Sequence, residues 1–155
     1  MNTNKIKHIL TFKDECFAIV GACMAVHNEL GSAFLEPVYQ EALAIEFEKR
    51  GVPFKKEHRL EIFYKENKLE KKYYADFLCY DQIVVELKAC SGLNEQHMAQ
   101  ALNYLSALRL KLALLVNFGQ TRLQWRRVVL ERAAQNSISD HSRKSFAFIS
   151  GKEEK

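Results

Sequence analysis

A chain of 155 residues with 48% hydrophobic and 27% charged side chains has the balance of a folded globular domain, and its length favours a single core. Its four cysteines follow no metal-ligand or disulfide-framework spacing, and its longest apolar run, Phe17 to Val26, falls well short of the roughly 20 residues a membrane helix needs. A formal net charge of +4 permits a polyanionic partner without requiring one.

Residues 12 to 30, FKDECFAIVGACMAVHNEL, predict a helix that is apolar on most sides, so it is expected to be buried or packed on a partner; a homodimer is one expectation that follows. Gly31 suits its end, because glycine accepts the left-handed conformation that closes helices. A second helix is predicted in EPVYQEALAIEFEKRG, with Pro37 in its first turn and Gly51 just past its end. From Val52 to Ala89 the period becomes that of strands. HRLEIFY, KKYYADFLCY and IVVELKA, with ENKLE and YDQ as turns, predict a three-strand antiparallel meander. SGLNEQHMAQALNYLSALR predicts a third helix, with Ser91 or Asn94 as its cap and Met98, Ala101, Leu102, Leu105 and Leu108 as its apolar stripe. LALLVNF reads as a buried strand reached by a helical crossover, hence parallel to an earlier one, and LQWRRVV as a last strand.

The expectation is therefore an α/β fold: one mixed sheet, made of the meander plus a strand after the crossover helix, flanked by helices. It occupies residues 1–132 as a single domain, with 12–30 as the amino-terminal helix and 36–128 as the core. The polar composition from about Ala133 predicts a flexible tail over 133–155. Free thiols and an amino end without a continuous apolar leader predict a cytoplasmic location with no membrane association.

Within this frame Glu86 and Lys88 interrupt an otherwise apolar strand. Residues two apart on a strand share a face, so both side chains fall with Val84, while Ile83, Val85, Leu87 and Ala89 take the other face. A hairpin turning about Asp81 sets Asp76 directly across from Glu86, with β-carbons roughly 4.5–5.5 Å apart. Lys88 follows about 6.6 Å further along the strand. Two carboxylates so close resist ionising together unless a cation lies between them. Mg²⁺ suits such a site, since it takes oxygen ligands and accepts one or two carboxylates plus substrate phosphate. A neighbouring lysine can orient or deprotonate an attacking water, and the set fits metal-assisted phosphodiester hydrolysis. The plainer alternative is a solvated strand face with a cross-strand Asp76–Lys88 ion pair. The bare spacing arises by chance about once in a chain of this length.

Asp76 followed by Glu86-Leu87-Lys88 on the next strand, inside an α-β-β-β-α-β order, resembles the PD-(D/E)xK nuclease superfamily and its restriction-endonuclease-like core. LGSAFLEPVYQEAL at 30–43, YYADFLCYDQIVVELKA at 73–89 and QHMAQALNYLSALRLKLALLVNFG at 96–119 resemble the GxxExxY family within it. Ala33 replaces the glycine of that family's name, Glu36 and Tyr39 are kept, and Ala75 stands where the superfamily often has proline. The resemblance implies Asp76 and Glu86 as metal ligands for Mg²⁺ or Mn²⁺, the Leu87 backbone carbonyl as a further ligand, and Lys88 as the catalytic lysine. It makes Glu36 an auxiliary acidic residue, and Gln100 and Tyr104 the Q-xxx-Y element that positions substrate. The residues themselves leave the helical positions open. Gln100 and Tyr104, with His97, form a polar stripe bordering the apolar one, which a water-satisfied helix boundary would also produce, and Glu36 beside Pro37 could simply start a helix.

The reading is a Mg²⁺-dependent nuclease acting on nucleic acid, with DNA as the substrate. The alternative is a non-catalytic module binding nucleic acid or protein on the same fold. Lys71 and Lys72, just before the strand of Asp76, are candidate phosphate contacts. Tyr73 and Trp125 are candidates for base stacking, with core packing as the alternative for each.

Overall fold

The computed structural model describes residues 12–131 and 147–148. In chain order the elements are α1 (Lys13–Leu30), α2 (Glu36–Arg50), β1 (Phe54–Leu60), β2 (Phe63–Tyr64), β3 (Asn67–Lys68), β4 (Tyr73–Cys79), β5 (Ile83–Lys88), α3 (Glu95–Leu108), β6 (Leu112–Asn117), β7 (Gln124–Val129) and β8 (Ala147–Phe148). Six strands form one mixed sheet in the order β1-β4-β5-β6-β7-β8, and β2 pairs with β3 in a separate hairpin. β5 and β6 run parallel, joined through α3, while every other neighbouring pair is antiparallel.

The predicted meander is thus β1-β4-β5, with one local difference. HRLEIFY is not a single strand: β1 ends at Leu60 and the chain re-pairs as the short β2–β3 hairpin. Glu61 and Ile62 carry the break, after which Leu69 N–H closes back on the Ile62 carbonyl at 2.8 Å. Of the carboxy-terminal residues only Ala147 and Phe148 are described, paired to β7; the rest of the predicted tail lies outside the described residues.

The helices cover both faces of the sheet. Cys16, Ile19, Cys23 and Val26 of α1 and Tyr39, Leu43 and Phe47 of α2 bury one face with Phe77, Val85, Leu87, Leu114 and Val116. Ala101, Leu102 and Leu105 of α3 bury the other with Ala75, Val84, Ala113 and Leu115. Each fully buried large aliphatic or aromatic side chain contributes roughly 1.5–3 kcal/mol, so α3 is held mainly by this short stripe. β6 is buried along its whole length, as befits a strand covered on both sides.

The helix ends follow local chemistry. Gly31 (φ 72°) and Gly51 (φ 70°) close α1 and α2 in the positive-φ region. Asn94, not Ser91, caps α3, and its side chain accepts from the His97 amide while His97 Nδ1 accepts from the Asn94 amide. No helix among the described residues is long and apolar enough to cross a membrane.

Candidate active site

The β4–β5 hairpin sets the register of the acidic residues. Tyr80 and Asp81 both take φ 54°, and Gln82 N–H bonds to the Cys79 carbonyl at 3.0 Å, closing a tight turn. From it the pairs run Cys79–Ile83, Leu78–Val84 and Phe77–Val85, so the next step places Asp76 opposite Glu86, as the residue count from Asp81 requires. There the side chains replace the ladder. Asp76 N–H donates to Glu86 Oε1 at 3.2 Å, and Leu87 N–H donates to Asp76 Oδ2 at 2.8 Å.

The backbone is irregular on the other side of Asp76 as well. β1 pairs Lys56 with Phe77 and His58 with Ala75, while the intervening Glu57 takes φ 53° and is unpaired in that ladder. Side-chain alternation breaks at the same place: Ala75 packs on the α3 side and Phe77 on the α1/α2 side, whereas a regular strand would put both on one face. Asp76 is thereby turned into the seam between β4 and β5.

Both helical layers reach this seam. From α2, Gln40 Nε2 donates to Asp76 Oδ1 at 3.3 Å. Glu36, one turn earlier, has its carboxyl raised by partial burial, with Lys88 lowering it and Asp76 raising it further. From α3, Gln100 Oε1 accepts from Lys88 Nζ at 3.3 Å. The Tyr104 hydroxyl is pushed up to about 12, first by burial and then by the negative charges of Glu86 and Asp76. The structure therefore brings Asp76, Glu86, Lys88, Glu36, Gln100 and Tyr104 into one neighbourhood. His97 lies near enough for burial and then the Lys88 charge to lower its imidazole pKa, and its ring also accepts from the Asn94 amide in the α3 cap. Tyr39 turns inward: its hydroxyl donates to the Gly31 carbonyl at 2.6 Å and its ring stacks on Phe118 at 4.6 Å.

Two residues at the site were not anticipated. Gln40 lies four after Glu36, a spacing that puts both on one helix face, yet a lone glutamine on an amphipathic helix carries no further signal. Asn117 is the one polar side chain in LALLVNF and is fully buried. Its Oδ1 accepts from the amides of Cys90 and Gly119 at 3.0 Å each, and its Nδ2 donates to the Cys90 carbonyl at 3.0 Å and to Gln124 Oε1 at 3.2 Å. With Phe118 N–H on the Lys88 carbonyl at 2.8 Å, this clamp fixes the segment just beyond the lysine.

Glu86 is only 6% exposed. Burial, and then the charge of Asp76, hold its carboxyl well above the usual carboxylate range. Burial also raises Asp76, partly offset by the Leu87 amide. A fold that raises a carboxyl's pKa is favoured while the group stays protonated and loses that advantage as pH climbs through the raised value. Glu86→Gln, which keeps the shape but does not ionise, is therefore expected to melt higher than the wild type in EDTA. The gap should widen from roughly pH 5 to roughly pH 9, reaching about 1–3 kcal/mol. Parallel melting curves across that range would contradict the buried, repelling pair.

Such a pair is relieved by a cation, and hard carboxylate oxygens suit Mg²⁺ or Mn²⁺. Among the described residues no three His, Cys, Asp or Glu side chains gather closely enough to hold a metal by themselves. Glu36 stands off, near enough to feel the charges of Asp76 and Lys88 without joining the pair.

A family model described as the PD-(D/E)XK nuclease superfamily matches residues 13–128. No curated protein and no solved structure matches the chain significantly.

Proposed function

The chain belongs to the PD-(D/E)XK nuclease superfamily, and from that premise we infer that it hydrolyses phosphodiester bonds in DNA with Mg²⁺ or Mn²⁺ as cofactor. The observation that carries this reading is the buried Asp76–Glu86 pair with Lys88 one step beyond it on the same strand. In this proposal Asp76, Glu86 and the Leu87 carbonyl hold the ion. When bound, the ion supplies charge stabilisation at the phosphate and a more acidic water. The Lys88 ammonium, steadied by Gln100, orients the attacking water and offsets negative charge growing on the phosphoryl oxygens. Gln100 and Tyr104 position the substrate, Gln40 fixes the Asp76 carboxylate, and Glu36 assists from the rim.

The narrower GxxExxY placement belongs to the same proposal. It is supported by the blocks at 30–43, 73–89 and 96–119, and by the way Glu36 and Tyr39 divide their roles: one faces the site and the other ties down the turn containing Ala33. Buried free thiols at Cys16, Cys23 and Cys79 agree with a reducing, cytoplasmic location. A homodimer through α1 is favoured by Phe17 and Met24, seven residues apart and 83% and 43% exposed. Sedimentation that gives monomer alone at high concentration would remove that part.

The test is calorimetric titration of Mg²⁺ and Mn²⁺ into the wild type and Glu86→Ala, alongside cleavage of single-stranded and duplex DNA. Saturable binding and cleavage are expected of the wild type, with both lost in the variant. A wild type that neither binds the ions nor cuts in their presence would overturn the enzymatic reading in favour of a binding module.

A further inference from the structure

A groove of about 700 Å³ opens directly beside the candidate site. One wall is the outer face of α3, where Gln100, Asn103, Tyr104 and Ala107 fall at helical spacing and form a continuous strip. The strip begins at the glutamine bonded to Lys88 and leads to Arg109, just past the helix end. The facing wall comes from the β2–β3 hairpin and the start of β4, where Phe63 is 58% exposed and Tyr73 37%. Aromatic rings left open to water beside a polar helical strip are unusual for a surface that only has to stay solvated. The charged side chains lining it are Arg109 and Glu61, and Glu61 is paired with Lys68 at 2.7 Å; Lys71 and Lys72 directly precede Tyr73 in the chain.

We propose that this groove binds single-stranded nucleic acid and feeds it to the Asp76–Glu86–Lys88 centre, with unpaired bases stacked on Tyr73 and Phe63. This rests on the nuclease reading and names its substrate class. Three observations select the occupant. The groove is continuous with the site through Gln100 and Tyr104. Arg109 at one end, with Lys71 and Lys72 next to Tyr73 in the chain, supplies cations of the kind that contact a phosphate backbone. Exposed ring faces are matched by unpaired bases, whereas in a duplex the base faces are already stacked on one another. Gln100 and Asn103 offer donors and acceptors to the edges of such bases, and their mixed capacity suits broad rather than strict sequence preference.

The experiment uses a fluorescein-labelled mixed-sequence DNA strand, alone and annealed to its complement. Anisotropy is measured in EDTA on the wild type, Tyr73→Ala, Tyr73→Phe and Phe63→Ala. The free strand is expected to bind at least about tenfold more tightly than the duplex. Each alanine variant should weaken it by about 5- to 150-fold, and Tyr73→Phe should leave it within about twofold. Equal or tighter duplex binding, or alanine variants that bind the strand like the wild type, would overturn the proposal. Cleavage of the same strand with Mn²⁺ separates the two readings. A strand held through Tyr73 but never cut supports the groove and defeats the nuclease reading. A strand cut with undiminished efficiency by Tyr73→Ala supports the nuclease and defeats the groove.

Discussion

Lys88→Met is expected to lower phosphodiester cleavage by about 10²- to 10⁴-fold, the range for removing a group that acts on the water or on developing charge, while the protein stays folded. The reason lies in how the residue is held. Its backbone belongs to β5 and pairs in register with Asn117, and its carbonyl accepts from Phe118 N–H, so the strand does not depend on the ammonium. The side chain is half-buried and makes one polar contact, to Gln100, and methionine keeps most of the apolar stem. The carboxylates remain, so Mg²⁺ or Mn²⁺ binding should persist in the variant. A far-ultraviolet spectrum and melting curve close to the wild type, metal binding retained and cleavage lost would assign the chemistry to the ammonium. Cleavage above about a tenth of the wild-type rate would show that Lys88 is an ordinary strand lysine.

Gly119→Ala is expected to be the most damaging small substitution in the described part of the molecule. A β-carbon there would lie 2.3 Å from the Cys90 nitrogen, 2.4 Å from its oxygen and 2.7 Å from the Ala89 carbonyl carbon. All three are backbone atoms, so no rotamer change relieves the clash, and the two segments must part. Overpacking commonly costs about 1–3 kcal/mol and more where backbone must shift; here it would also loosen the Asn117 bonds to Cys90 and Gly119. A loss of about 3 kcal/mol or more in urea unfolding is expected, together with impaired activity, because Lys88 lies two residues before Cys90. A variant with wild-type stability would mean that the two segments approach each other less closely at Gly119.

The large features were legible because each rests on local chemistry that the sequence displays. The Pro37 and Gly51 boundaries, the apolar stripe of α3 and the polar turn at Tyr80–Asp81 are all short-range signals. The turn alone fixes which residue faces Glu86. The parallel placement of β6 followed from the crossover, which leaves few topologies to choose among. What escaped depended on tertiary neighbours. Gln40 becomes meaningful only once α2 lies over β4. The left-handed Glu57 and the broken alternation at Asp76 have no signature in KKEHR or YYADF. The split of HRLEIFY into β1 and a hairpin arm was hidden because its apolar and aromatic residues read equally well as one strand. The capping role of His97 was also missed: three after Asn94 it closes the start of α3, while three before Gln100 it still lies near Lys88.

The parallel contact between β5 and β6 has a consequence for when activity can appear. Asp76, Glu86 and Lys88 sit within a dozen or so residues and leave the ribosome almost together. The hairpin that carries them is marginal alone, and the strand that completes β5 arrives only with Leu112–Asn117, after the whole of α3. Pairings across such a separation form late, because the intervening chain must first be ordered. The bonds from Phe118 to Lys88 and from Asn117 to Cys90 come from the same late segment. A nascent chain therefore holds every reactive group well before it holds the geometry that aligns them. On the proposed nuclease reading, the nascent chain carries its reactive groups before it is armed, and the emergence of a single buried strand completes the centre.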